Sequence, residues 1–452
     1  MVLARTLLQN GCVITVDKEL GNFRRADVLI EGTKIAAVGP DLAVTDAEII
    51  DASNMIIMPG FIDTHRHLWE GILRNISADS VLANYFPDIL GVLAPVYRPE
   101  DAYAGDLMSA LGAIDAGVTT ILDWSHIQNT PEHADAVIQA LQESGMRAVF
   151  AYGSPNTSLP DWWYNSSLKH PEDIRRLREQ YFSSEDQLIT LGMATRGPEF
   201  STMEVIRHDW GLARSVGAPI TVHVGVSEYG FSGGIKRMYE EGLLGPDTTY
   251  VHCTTLSDEE LRYIVDTGGT FSVSSAVEMQ MRHGTPALDR ILRLGARPGL
   301  SVDVETNISG DMFSQMRAAF QCQRVMVNHR SLYGGSFEGE RLLTVQQVLE
   351  FATLEGARVL GLAHKTGSLT PGKEADIILL RADRLNVFPL NDPIGAVVVG
   401  ADTGNVDSVF IAGKAMKRNG QLLNVDLDRA RRLAIESRDY VITRAGFTLP
   451  AF

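Results

Sequence analysis

The chain has 452 residues, 45% of them hydrophobic and 21% charged, and its 56 acids against 40 bases give a formal net charge of −16. An acidic surface of that size repels phosphate groups, which argues against nucleic acid or an anionic membrane as partner, and no apolar run approaches the length of a membrane span. Three cysteines, Cys12, Cys253 and Cys322, lie far apart; their odd number fits no complete disulfide framework and points to a reducing, cytoplasmic compartment.

At this length a large barrel plus a smaller domain is the expected organisation. The first stretch carries one Arg and a brief apolar run before Gln9-Asn10-Gly11, a poor signal peptide. Strands and tight turns follow. Cys12-Val13-Ile14-Thr15-Val16 comes after Gln9-Asn10-Gly11, and Ala26-Asp27-Val28-Leu29-Ile30 meets Lys34-Ile35-Ala36-Ala37-Val38 across Glu31-Gly32-Thr33. The same texture returns in residues 375–380 and in Val409-Phe410-Ile411, which pairs with Lys414-Ala415-Met416 around Ala412-Gly413. Two β-rich flanks around a long middle predict one small sheet domain assembled from both ends of the chain, residues 1–57 and 366–425. A final helix and tail, 426–452, would pack on the barrel or on a partner subunit.

Between the flanks, over 58–365, short Val/Ile/Leu/Thr runs alternate with segments of helix periodicity. The runs are 57–63, 118–124, 147–152, 188–195, 219–224, 249–252, 270–274 and 300–304. The helix from Pro131 opens with a proline and acids, and Ser257-Asp258-Glu259-Glu260 opens another in the manner of a capping box. Eight such units closed on themselves make a (β/α)8 TIM barrel. The alternative, an open doubly wound sheet, lacks a Gly-x-Gly-x-x-Gly turn after an early strand.

In a barrel, functional side chains sit at the carboxyl ends of strands. The first run leads into Pro59-Gly60-Phe61-Ile62-Asp63-Thr64-His65-Arg66-His67, where His65 and His67, two apart, share a face. The fifth run ends in His223, the sixth in His252 and the eighth at Asp303. Singly, each reads as a buried histidine or a loop cap. Together they form a nitrogen–oxygen set suited to zinc or ferrous iron.

PGFIDTHRH, TVHVGVSE, YVHCTTLSDEE, the strand-eight aspartate and GSLTPGKEADIILL together resemble the amidohydrolase superfamily, in the branch holding triazine hydrolases, guanine deaminase and cytosine deaminase. The resemblance implies that His65, His67, His223 and Asp303 hold one divalent metal, zinc first and ferrous iron second. It implies that His252 polarises the substrate and that the two flanks form a β-sandwich. Run four offers no lysine for a second metal. A divalent metal lowers the pKa of its bound water from about 15.7 towards 7, so a metal-bound hydroxide would attack an electrophilic sp2 carbon of a small cyclic substrate. Asp303 would act as general base.

One position departs from the family pattern. The glutamate expected three residues after the strand-five histidine is Val226, with Glu228 two residues on. Glu228 is either the proton shuttle after a small loop adjustment or a surface acid. Without a shuttle, ring deamination gives ground to hydrolysis of an amide, lactone or other activated bond, or to non-oxidative decarboxylation, and an inactive scaffold is the remaining alternative. His126, at the end of strand two, is expected to touch substrate or to orient a metal ligand. Trp69, Tyr152 and the aromatics of 162–164 would wall a flat ring or line a subunit interface. Glu70, Arg74 and Arg196 would pair with polar substituents or form ordinary ion pairs. Residues 76–99 read as a mobile lid. His133, His170, His208, His283, His329 and His364 read as structural, and the whole as a homo-oligomer acting on a small molecule.

Overall fold

The structure is a computed structural model that describes residues 5–334 and 342–449, so residues 1–4 of the leading stretch and 450–452 of the tail lie outside the described residues. Its strands form two sheets, one of nine and one of eight. The chain divides into two compact units, one of Met1–Thr64, Gly112–Thr120 and Asp311–Val425, the other of His65–Leu111, Ile121–Gly310 and Asp426–Phe452.

In the first unit, strands from both chain ends join in one hydrogen-bonded sheet. Met55–Pro59 is the seam: it runs parallel to Arg5–Val13 on one side and antiparallel to Ile377–Arg381 on the other, with Met58 opposite Ile378. Alternate residues of these strands supply a buried cluster that includes Leu8, Val28, Ile57, Ile377, Leu379 and Phe410. Each such side chain contributes about 1.5–3 kcal/mol of burial free energy, so the two chain ends are held by packing as well as by the ladder. The run 57–63, expected as one barrel strand, is therefore two. Gly60 separates them: its N–H bonds the Asp376 carbonyl at 3.0 Å, and a Cβ there would meet the Thr119 side chain at 2.1 Å.

The eight-stranded sheet is the barrel. In chain order its strands are β1 (Phe61–Arg66), β2 (Val118–Ser125), β3 (Arg147–Tyr152), β4 (Ile189–Thr195), β5 (Ile220–Val224), β6 (Thr248–His252), β7 (Thr270–Val273) and β8 (Gly299–Leu300). They pair in that sequence, and the pairs along β3 to β8 are all parallel. A bridge between Arg66 and Asp303 closes the ring. β8 is shorter than the expected 300–304; Asp303 lies beyond it at φ 74° and meets β1 through the bridge to Arg66.

The expected helix signals are realised. Pro131–Ser144 begins with its proline, His133 Nδ1 accepts from Thr130 N at 3.2 Å, and Gly145 ends it at φ 72°. Ser257 and Glu260 exchange capping bonds at 3.2 and 3.1 Å at the head of Asp258–Asp266. Within 76–99 the chain forms helical turns Leu82–Tyr85, Phe86–Leu93 and Ala94–Val96, with Ile89, Leu90 and Leu93 fully buried. The last helix, Leu427–Ala445, packs within the barrel unit: Arg98 lies 3.5 Å over the Tyr440 ring, and Arg429 pairs with Glu143 at 2.6 Å.

The turn after the His65/His67 pair is seated by two glycines. A Cβ on Gly71 would lie 2.2 Å from the Gly105 carbonyl oxygen, and one on Gly105 would lie 2.1 Å from that of Trp69. The helix Pro99–Asp115 thus touches the Leu68–Leu73 turn backbone to backbone. Gly105→Ala is expected to cost about 1–3 kcal/mol through overpacking, read as a lowered denaturation midpoint at unchanged slope.

Candidate active site

Four barrel strands deliver the titratable cluster. His65 lies on β1 with His67 just beyond it, His223 is on β5, His252 ends β6, and Asp303 follows β8. One ligand atom each from His65, His223, His252 and Asp303 falls within 4.8 Å of the others. His65 Nε2 is 3.0 Å from Asp303 Oδ1 and 3.0 Å from His223 Nε2. His67 Nε2 is 3.2 Å from Asp303 Oδ1, and His252 Nε2 is 3.6 Å from Asp303 Oδ2.

Backbone geometry aims these groups. His252 and Asp303 both sit at left-handed φ, 72° and 74°. Non-glycine residues there cost on the order of 1–3 kcal/mol each and persist where the surroundings fix them. Here the Asp303 N–H donates to the His65 carbonyl at 2.9 Å, the His67 N–H donates to the Asp303 carbonyl at 2.8 Å, and Cys253 N donates to Val224 O at 2.9 Å.

The rings' outer nitrogens define their inner ones. His67 Nδ1 lies 2.9 Å from the Trp124 carbonyl, which can only accept, so a neutral His67 presents a lone pair at Nε2. His252 Nδ1 lies 3.2 Å from Glu278 Oε1, which also accepts from Ser274 N at 2.8 Å. Burial pushes His65 down to about 3 and His223 well below its ordinary value. Burial opposes charge on Asp303, but the facing His252 and the bonds from His65 and His67 hold it well below the usual carboxylate range. Burial opposes charge on His67 as well, but the bond and charge of Asp303 raise it above its ordinary value, and imidazole nitrogens converge with an anionic carboxylate at near-contact distances. That set of nitrogen and oxygen donors fits a divalent cation, which would take the place of the protons shared between them.

A cavity opens over the cluster. Its other walls are Leu82, Tyr85, Phe86 and Leu90 from the helical turns of 76–99, with Trp163, Phe200, Val226, Met281, Val304, His126 and His283. Trp69, itself fully buried, donates its indole N–H to His126 Nδ1 at 3.0 Å. A neutral His126 must therefore carry its proton on Nε2. Trp163 is anchored by its own indole bond to Asn156 Oδ1 at 2.6 Å. The box is apolar, with imidazoles at fixed points.

Several expected contacts fall elsewhere. Glu228 is exposed on the Ser227–Ser232 turn, bonded to its neighbour Ser227, and Val226 occupies the wall instead. Arg196 is consumed in holding the segment after β3, through Trp162 O at 3.0 Å, Ser166 Oγ at 2.7 Å and Leu168 O at 2.5 Å. Tyr152 is buried against His170 rather than lining the cavity. Trp69 acts through His126 and not by contact. Glu70 is buried behind Tyr85, whose hydroxyl donates to it, and burial pushes Glu70 up to about 8. Arg74 pairs with Glu305 at 3.0 Å. His133 and His170 are structural: His133 caps a helix and reaches Tyr97 O at 3.0 Å, and His170 reaches Ala194 O at 3.2 Å.

Sequence reasoning missed Glu278 and passed over His283. His283 lines the cavity, is 3% exposed, and sets its ring edge-on to His252 with centroids 4.8 Å apart. Burial pushes it down to about 3. The available signal was position: both residues follow β7, on the rim where the histidine and aspartate cluster lies.

A closed eight-stranded barrel with histidines and an aspartate at its mouth defines a metal-dependent hydrolase scaffold. Residues 56–416 match the Amidohydrolase family, and the chain belongs to that family. It is 28% identical over 428 residues to a 5'-deoxyadenosine deaminase of Methanothermobacter thermautotrophicus, covering 92% of this chain and 95% of the relative. It is 26% identical to a 5-methylthioadenosine/S-adenosylhomocysteine deaminase of Pyrococcus furiosus, over 94% and 97% of the two chains. The fold matches that of a zinc-bound adenosine deaminase from Xanthomonas campestris (TM-score 0.83, 21% identity, 97% and 99% covered). It also matches that of the zinc complex of atrazine chlorohydrolase from Arthrobacter aurescens (TM-score 0.85, 22% identity, 96% and 100% covered).

Two substitutions separate the placements described above. Glu228→Gln is expected to leave kcat/KM within about twofold of wild type, as for other exposed side chains. Trp69→Phe removes one hydrogen bond to His126 and is expected to lower kcat/KM about three- to tenfold, with metal content unchanged by elemental analysis.

Proposed function

We propose that this amidohydrolase removes a substituent from an sp2 carbon of a small N-heteroaromatic ring, with His65, His67, His223 and Asp303 holding one divalent ion, zinc by preference. The observation that carries the reading is the convergence of imidazole nitrogens and Asp303 beneath an aromatic-walled cavity. The zinc in the two structural neighbours supports the choice of ion. When bound, such an ion supplies Lewis acidity and lowers the pKa of a coordinated water.

The chain's own residues do the rest. Asp303 takes the proton that water gives up on attack at the ring carbon, and passes it to the departing nitrogen. His252, backed by Glu278 at 3.2 Å, hydrogen-bonds the ring heteroatom where charge develops. His126 donates from Nε2 to fix the ring's orientation, and the walls of Leu82, Phe86 and Phe200 exclude bulk water.

A second reading is favoured by Val226. Among the described residues that line the cavity, none on that wall is an acid that could protonate a ring nitrogen. A leaving group that departs as an anion needs no such proton, so hydrolytic dehalogenation fits the same geometry. In that reaction the C–O bond forms, the carbon–chlorine bond breaks, chloride leaves, and the proton goes through Asp303 to solvent. Homo-oligomerisation and a reducing, cytoplasmic setting complete the proposal. The latter is supported by three free cysteines, and no helix among the described residues is long and apolar enough to cross a membrane.

The test measures ammonia and chloride release from matched amino- and chloro-substituted triazines, pyrimidines and purines, with metal content determined alongside. The expected result is one equivalent of zinc per chain and turnover that Asp303→Asn lowers about 10²–10⁴-fold. Metal-free protein, or turnover indifferent to chelation, contradicts the proposal.

A further inference from the structure

Among the side chains lining the cavity, the charged or hydrogen-bonding ones are few. Apart from Asp303 and the imidazoles they are apolar or aromatic, and the Tyr85 hydroxyl is already committed to Glu70. No lysine or arginine among the described lining residues is placed to clamp a carboxylate or phosphate, and no second carboxylate to grip a sugar diol. Beyond His252 at the base, polar recognition is left to His126 on one wall and His283 on another.

His283 is held rigidly next to Val226. Its carbonyl accepts from Ser227 N at 2.6 Å and from Thr254 Oγ1 at 2.7 Å, and its N–H donates to Glu278 O at 3.0 Å. The following Gly284 takes φ 135°, a conformation open to glycine, and a Cβ there would come within 3.0 Å of Thr254. With the backbone fixed on both sides, the ring stands in the cavity wall, yet neither Nδ1 nor Nε2 has a hydrogen-bond partner among the described residues. A buried imidazole left so is costly unless something else satisfies it. His126 and His252 each have one nitrogen committed to the protein. His283 has neither, so it can donate to a ring nitrogen or accept from an amino group.

We infer that His283 is a substrate-contacting specificity residue that reads the polar edge of an uncharged planar heteroaromatic ring, on the wall where Val226 stands. This rests on the hydrolase reading above and narrows its substrates to rings without ionised or sugar substituents.

The test uses the zinc-loaded full chain and two probes of equal shape, benzimidazole and indene, titrated at a pH where both are uncharged and followed by tryptophan fluorescence. His283→Phe is expected to weaken benzimidazole binding about tenfold while indene binding stays within about twofold. His283→Asn is expected to recover part of the loss, with zinc content and Tm at wild-type values throughout. Equal benzimidazole affinity in wild type and variant overturns the inference, as does an equal loss for both probes, which marks a packing role. If the phenylalanine variant does not fold, His283→Leu carries the same comparison. Binding requires no turnover, so a substrate panel without turnover overturns the hydrolase reading and leaves this comparison to stand or fall alone.

Discussion

The site depends on how the first and last barrel strands meet. Asp303 donates its N–H to His65 and accepts from His67, so one residue closes the ring and also places its carboxylate against both histidines. The left-handed φ of Asp303 turns its side chain inward at that point, and the same backbone feature recurs at His252. Strain at these two positions is sustained by flanking backbone bonds, as expected where a fold over-determines a functional geometry.

Behind that closure stands a layer of buried partners that sets which nitrogen of each ring faces inward. The Trp124 carbonyl does this for His67, Glu278 for His252 and the Trp69 indole for His126. Each leaves Nε2 facing the cavity, as a lone pair on neutral His67 and as a donor on neutral His126. Which nitrogen of each ring faces the cavity is therefore set by the buried groups behind the rings. Gly71 and Gly105 extend this support, since only their missing side chains let the Leu68–Leu73 turn settle close enough to bring Trp69 under His126.

Much of this was legible in the sequence, for a physical reason. Barrel strands are buried on both faces and read as short apolar runs, so a histidine or aspartate that ends such a run stands out. That is why His65, His67, His223, His252 and Asp303 stand out in the sequence. The family resemblance, carried by the same residues, agrees with the match to residues 56–416. What stayed hidden depended on loop direction. Glu228 and Val226 would share a face on an extended chain, but the backbone turns at Ser227 (φ 49°) and throws Glu228 into solvent. Tyr152 ends β3 and Arg196 directly follows β4, positions like that of His223 near the end of β5, yet their side chains pack against His170 and around the segment after β3. His283 lies ten residues beyond the end of β7, past a short helix, where strand periodicity carries no information. The break at Gly60 was concealed by the continuous apolar run on either side of it.

The central claim is that one cation sits among residues drawn from β1, β5 and the end of β8. Anomalous diffraction at the zinc absorption edge, from crystals of the purified protein, tests it most directly. The account predicts a single peak at about 2.0–2.2 Å from Nε2 of His65, His67 and His223 and from the Asp303 carboxylate. A map with no peak there, or a peak held by other side chains, would contradict it.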